Sequence, residues 1–161
     1  MKLIRAEKEQ FAFSVNLREK QFFCKMLSMF PLVPPAHHRL NKTNRGKPRP
    51  EDQLLLDEAV AEQRRENGKR VQVFLNDPER FRKTTHGFLL SILRAEIEWL
   101  LQVLNDVRVG AWLALGEPDE LTRPKPSSTN APYIFALEIS GYFQVGLLAA
   151  LGVHEPTEPT R

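Results

Sequence analysis

Two charged side chains stand out because they lie within otherwise apolar helical segments. Arg108 shares one face of a predicted helix with Leu104 and Ala111. Glu138 is the sole charged residue between positions 131 and 151. A buried guanidinium or carboxylate needs a partner of opposite charge. We therefore expect an ion pair between Arg108 and Glu138 that sets the register of two packed helices.

Two polar neighbours extend this predicted cluster. Asn105 lies one turn before Arg108 and would supply a further hydrogen bond, whereas Asp106 points nearly opposite Arg108. Asp106 would cap a loop, pair with a surface arginine or belong to a face that binds a partner. The alternative to a structural role is a small-molecule site between the two helices, in which Arg108 binds a carboxylate or phosphate with Glu138 and Asn105 nearby.

A second group of charges lies in residues 36–50, which contain no acidic side chain and almost nothing apolar. The cations of this segment are Arg39, Lys42, Arg45, Lys47 and Arg49. Such a composition cannot contribute to a core, so we expect a mobile basic loop. Its cations would attract a polyanion through counterion release, although no aromatic residue is present on which bases would stack. A solvated linker is the favoured interpretation, and nucleic acid or an acidic protein is the alternative partner.

The remaining reactive side chains lack the spacing that metal binding or catalysis requires. His37 and His38 are adjacent and have no cysteine or carboxylate at ligand spacing. Cys24 lies between Phe23 and Met26, and this pattern predicts a buried, unreactive thiol. The sequence contains no phosphate-binding glycine loop, nucleophile elbow or zinc pattern. We therefore expect neither a metal nor a cofactor, and the interpretation leans away from an enzyme.

Hydrophobic periodicity predicts the elements that position these residues. Residues 1–15 suit a β-hairpin, whose second strand carries Phe11, Phe13 and Val15 on one face. Asn16 with Glu19 three residues later predicts a capped helix up to about residue 30.

The middle of the chain is harder to interpret. Pro50 begins a helix, and Asn67 with Gly68 predicts a break in it. Residues 71–75 fit either a strand or a helix, and Asn76 to Glu79 suggests the cap of another short helix. Residues 88–92 fit a third strand, because the segment from Phe88 aligns without gaps with the strand and helix that begin at Phe11.

Two long apolar segments, residues 94–115 and 131–151, predict a pair of antiparallel helices. The fold class is therefore mainly α, with a helical bundle around this central hairpin and a small N-terminal antiparallel sheet of two or three strands. We expect residues 1–153 to form a single domain and residues 154–161 a polar tail. Glu138, Ser140 and Gln144 interrupt the second segment, so we expect a buried helix and no membrane span.

Composition limits the class of protein. The 161 residues are 42% hydrophobic and 27% charged, as in folded domains, with a net charge of +3. Residues 1–50 carry 11 Lys and Arg against 3 Glu, and the rest carries 12 against 17 acidic residues. This distribution excludes a uniformly polybasic or intrinsically disordered protein. One cysteine and the lack of a signal-peptide pattern favour a cytoplasmic location.

The segment from Glu98 to Arg108, with the sequence Glu-Trp-Leu-Leu-Gln-Val-Leu-Asn-Asp-Val-Arg, resembles a known pattern. It is similar to the Trp-Leu-x-x-Leu-Asn-Asp-Leu-Arg stretch of a bacterial domain-of-unknown-function family, the one numbered two thousand and seventeen. Leu115-Gly116 and the apolar helix after them also resemble that family. The resemblance implies a bacterial source and a connection with a Clp protease adaptor, hence with regulated proteolysis.

The leading functional hypothesis is a non-enzymatic protein-interaction or regulatory module of the cytoplasm. Its protein partner is unidentified, and the apolar last helix would also serve as a homodimer interface. The alternatives are a nucleic-acid-associated protein that uses the basic loop and a small-molecule binder that uses the polar cluster.

Overall fold

The computed structural model describes residues 1–35, 50–119 and 124–152. In chain order its elements are β1 (Lys2–Ala6), β2 (Gln10–Val15), α1 (Leu17–Ser28), α2 (Pro50–Asn76), β3 (Phe81–Thr84), β4 (Gly87–Leu93), α3 (Arg94–Ala114) and α4 (Ala131–Gly152). The mainly α class with a small antiparallel sheet is confirmed. The predicted basic loop, apart from Pro50, and the predicted polar tail lie outside the described residues.

The sheet has four strands in the order β1-β2-β4-β3, and every neighbouring pair is antiparallel. Phe13 of β2 lies opposite Leu3 of β1 and Leu90 of β4, so apolar side chains of three strands share the core face. The third strand predicted at residues 88–92 is confirmed as part of β4. The expected count of two or three strands is wrong, because β3 adds a fourth.

The strand β3 was missed because the residues before it resemble a helix start. The backbone N–H of Arg80 donates to the carbonyl of Asp77 at 3.2 Å, which closes a turn where a short helix was predicted. The chain then runs into β3, where Phe81 pairs with Leu90. Burial of Phe81 against the core cluster therefore outweighs the local capping signal.

The helix α1 begins as the sequence predicts. The N–H of Glu19 donates to Asn16 Oδ1 at 2.8 Å, and the N–H of Asn16 donates to Glu19 Oε2 at 2.9 Å. This reciprocal pair satisfies two backbone donors that the first turn of a helix leaves open.

The helix α2 is continuous, so the break predicted at Asn67 and Gly68 is wrong. A glycine within a helix costs about 1 kcal/mol relative to alanine, and helix-forming residues on both sides tolerate this cost. The undecided residues 71–75 are helical, and Val71 and Phe74 bury their side chains in the core. Burial of these two side chains anchors the last part of α2 and so keeps the helix continuous across Gly68.

The helices α3 and α4 pack against each other over most of their length. They run antiparallel, since Leu115 lies near Ile134 and Arg108 lies beside Gly141. The core between them also receives Phe11 and Ile92 from the sheet and Phe23 from α1, whose ring lies 4.9 Å from that of Phe143. The expected helical bundle around the hairpin of α3 and α4 is not confirmed, because the sheet supplies much of the same core.

Candidate functional site

The ion pair predicted between Arg108 and Glu138 does not form among the described residues, and both side chains are exposed. Arg108 Nη1 instead donates to Gln144 Oε1 at 3.4 Å. The sequence places Arg108 on an apolar arc, but α3 buries the neighbouring side, which includes Val107 and Ala111. Arg108 lies at the edge of that arc, so its guanidinium reaches water and needs no buried partner.

Arg108 and Glu138 nevertheless line one groove between α3 and α4, with a volume of about 720 Å³. Trp112 forms part of its wall, and its indole N–H donates to the carbonyl of Pro118 at 3.2 Å. Asn105 does not line this groove but lies on another side of α3. The four residues of the predicted polar cluster are therefore divided between two places.

Asp106 holds the chain segment that follows α1. Its Oδ1 accepts the N–H of Leu32 at 2.6 Å and that of Val33 at 3.1 Å. Its Oδ2 lies 3.5 Å from Nη2 of Arg64, which also donates to the carbonyl of Val33 at 2.7 Å. Two of the roles expected for Asp106, the capping of a loop and the pairing with an arginine, are thus present together.

Gly110 lies one turn after Asp106 and brings the same segment against α3. A Cβ atom at position 110 would lie 2.5 Å from the carbonyl carbon of Leu32. Only a residue without a side chain allows this backbone approach. Asp106 and Gly110 together therefore seat Leu32 and Val33 on α3.

Asp106 and Arg64 also border a cleft between α2 and α3, which we call the amide cleft. Its volume is about 490 Å³, and it is lined by Phe30, Val33, Val60, Gln63, Arg64, Asn67, Gln102, Asn105, Asp106 and Val109. Gln63 Nε2 donates to Gln102 Oε1 at 3.0 Å across the cleft. Four of the lining side chains carry a primary amide, namely Gln63, Asn67, Gln102 and Asn105.

Asn67 is the unusual member of this set. It is 5% exposed, and its side chain makes no hydrogen bond with any residue of the described ranges. Its amide atoms still reach solvent through the cleft, since Arg80 Nε is the one fully buried side-chain nitrogen or oxygen without a hydrogen-bond partner among the described residues. From the sequence, Asn67 was expected only to break the helix together with Gly68, and the polar stretch around it predicts a solvated helix face.

Arg80, whose side chain is 13% exposed, was also missed. Its two terminal nitrogens contact the two carboxylate oxygens of Glu96 at 2.6 and 3.0 Å, and its guanidinium lies 4.3 Å from the ring centre of Phe74. Glu96 Oε2 also accepts the N–H of Leu93 at 2.8 Å. This bidentate pair joins the turn before β3 to the start of α3, and we interpret it as structural.

The outer side of α4 carries an apolar stripe. Exposed residues at the spacing of successive helical turns are Glu138, Tyr142, Val145, Leu148 and Ala149, which we call the α4 stripe. Val145 is 69% and Leu148 54% exposed. The helix α4 is long and apolar enough by composition to cross a membrane, with a mean hydropathy of 1.6 over its most apolar window, and 28% of that window is buried.

The cations predicted to bind a polyanion lie outside the described residues; they are Arg39, Lys42, Arg45, Lys47 and Arg49. Within residues 1–35, 50–119 and 124–152, no group of three His, Cys, Asp or Glu side chains is placed to hold a metal ion. Cys24 is partly buried, and loss of solvent raises the pKa of its thiol, although the nearby Lys20 lowers it in part.

Comparison of the chain with family models, with curated proteins and with solved structures gives no match. The family resemblance noted for residues 98–108 therefore stays a prediction of the sequence.

Proposed function

We propose that the protein is a non-enzymatic interaction module that forms a homodimer through the α4 stripe. The observation that carries this proposal is the exposure of Val145, 69% accessible at the centre of an apolar helix face. Apolar patches of this kind on a folded surface are typical of sites where another molecule packs.

The spacing of the stripe favours another helix as the covering element. Glu138, Tyr142, Val145 and Ala149 follow one another at intervals of four, three and four residues. Side chains at these intervals lie along one line of the helix surface, as they do where two helices pack together. Ala149 is small, so a second backbone is able to approach closely there.

The chemistry of the stripe favours a second copy of the same chain. Its one charged residue, Glu138, lies at one end. The stripe thus offers no pattern of charges that would select a different protein. Two such stripes related by a two-fold axis through Val145 are self-complementary, and the two Glu138 side chains then lie at opposite ends.

The packing of the other sides of α4 argues for a protein neighbour over a lipid one. Ser140, Phe143, Leu147 and Ala150 already lie in the protein core. Tyr142 also donates from its hydroxyl to Glu19 Oε1 at 2.6 Å, which ties the stripe to α1. A helix fastened in this way would have to leave the core in order to cross a bilayer.

The test is the solution mass of wild type and of a charge-insertion variant, measured by size-exclusion chromatography with light scattering. We expect wild type to have twice the chain mass of 18.5 kDa and Val145→Glu to have the single-chain mass. Val73→Glu is the matched control, because Val73 is 70% exposed on α2, away from the stripe, and this variant should stay dimeric. A wild-type mass of 18.5 kDa at the highest soluble concentration would overturn the proposal.

The other functional hypotheses stay predictions with their own tests. The cytoplasmic location and the link to regulated proteolysis depend on the sequence alone. Binding of nucleic acid through residues 36–50 predicts retention on heparin at low salt and release at moderate salt. Binding of an anion by Arg108 in the groove beside Glu138 predicts thermal stabilisation by a small carboxylate or phosphate compound.

A further inference from the structure

We propose that the amide cleft between α2 and α3 is a binding site for a nucleobase, separate from the α4 stripe. The inference starts from Asn67, which is 5% exposed, lines the cleft and has no hydrogen-bond partner among the described residues. Its amide offers two donors and one acceptor oxygen. A ligand in the cleft would satisfy groups that the protein itself leaves open.

The charges around the cleft point to a neutral ligand. The carboxylate of Asp106 is occupied by Leu32, Val33 and Arg64, and Arg64 also donates to the carbonyl of Val33. Since these opposite charges lie against each other, the cleft presents no isolated cation for a phosphate and no isolated anion for an ammonium group.

The amides then define the chemistry of that ligand. A primary amide places a donor beside an acceptor, and the edge of a nucleobase presents the complementary pair. Gln102 and Asn105 lie on exposed positions of α3, whereas Asn67 reaches the cleft from α2, so hydrogen bonds would come from two sides. Val60 and Val109 supply apolar surface against which a flat ring can lie.

The size of the cleft agrees with this class. Its volume of about 490 Å³ lies within the range of small-molecule sites in proteins. Ligand sites of this kind combine apolar walls with a few placed polar groups, as this one does.

The experiment titrates the full chain with adenosine, guanosine, cytidine, uridine and thymidine by isothermal calorimetry. We expect saturable binding of at least one nucleoside and a loss of at least tenfold in affinity in Asn67→Leu. The control Gln72→Leu removes an exposed amide from the same helix outside the cleft and should bind as wild type. Ribose is titrated in parallel, and binding of ribose with the same affinity as the nucleosides would overturn the proposal.

The same variant has a second readout. If Asn67 serves a ligand, Asn67→Leu should unfold at the same temperature as ligand-free wild type or at a higher one, because it removes an amide that makes no hydrogen bond with the described residues. Should Asn67→Leu fail to fold, Gln102→Leu changes an exposed wall of the cleft and should also weaken binding at least tenfold. No binding of any of the five nucleosides, or binding that neither variant weakens, would overturn the proposal.

Discussion

Replacing Asp106 tests whether one carboxylate holds the segment after α1 in place. In Asp106→Ala, the N–H groups of Leu32 and Val33 lose their acceptor at 2.6 and 3.1 Å. A hydrogen bond to a charged group contributes at least about 1.5 kcal/mol, so the two together contribute about 3 kcal/mol. The ion pair between Arg64 and Asp106, at 3.5 Å, is lost in the alanine variant and also in an asparagine variant, so it does not contribute to the difference between them.

The substitution Asp106→Asn separates the charge from the hydrogen bonds. The amide oxygen still accepts both N–H groups, but neutral bonds contribute only about 1 kcal/mol each. We therefore expect a loss of about 1 kcal/mol for Asp106→Asn and about 3 kcal/mol for Asp106→Ala. For a chain of this size, each kcal/mol lowers the melting temperature by about 2–4 °C.

The measurement is urea unfolding followed by circular dichroism, with thermal unfolding as a second probe. Asp57→Ala is the control, because Asp57 is an exposed aspartate of α2 whose side chain accepts from Gln53. We expect this control to change the free energy of unfolding by less than about 0.5 kcal/mol. The reasoning is refuted if Asp106→Ala costs less than about 1 kcal/mol, or if the alanine and asparagine variants lose equal stability.

Two further predictions concern neighbouring positions. Gly110→Ala should lower the free energy of unfolding by about 1–3 kcal/mol, because the new methyl group would overlap the backbone of Leu32, and urea unfolding would show no change if that close approach were not required. Cys24 should react with iodoacetamide more slowly in the folded protein at neutral pH than in urea, because burial raises the pKa of its thiol and so lowers the thiolate fraction; the folded rate should rise with pH, and equal rates in both states would contradict this.

The sequence indicated the elements whose signals are local. The cap of α1 was predictable because Asn16 and Glu19 interact within one helical turn. The apolar periodicity of residues 94–115 and 131–151 predicted α3 and α4 nearly to their ends. The strand β3 was not predictable in this way, since Phe81 becomes a strand residue only by pairing with Leu90 of β4.

The candidate sites show more clearly the difference between features set by local sequence and features set by contacts between distant residues. Asp106 was singled out from its sequence position, but its partners Leu32 and Val33 are more than seventy residues away in the chain. Arg108 was expected to be buried because the periodicity of α3 places it on an apolar arc. Periodicity predicts which face of a helix is apolar, but it does not predict how much of that face the neighbouring elements cover.

The sequence by itself determined the mainly α class, the first hairpin, the capped α1 and the two long helices, because these follow from contacts within a few turns of chain. Only the tertiary structure decided which polar residues are buried. It placed Asn67 in the same cleft as Asp106 and Arg64, and it left Arg108 and Glu138 in solvent. The physical reason is that burial depends on which elements cover a side chain, and that choice depends on packing between residues far apart in the sequence.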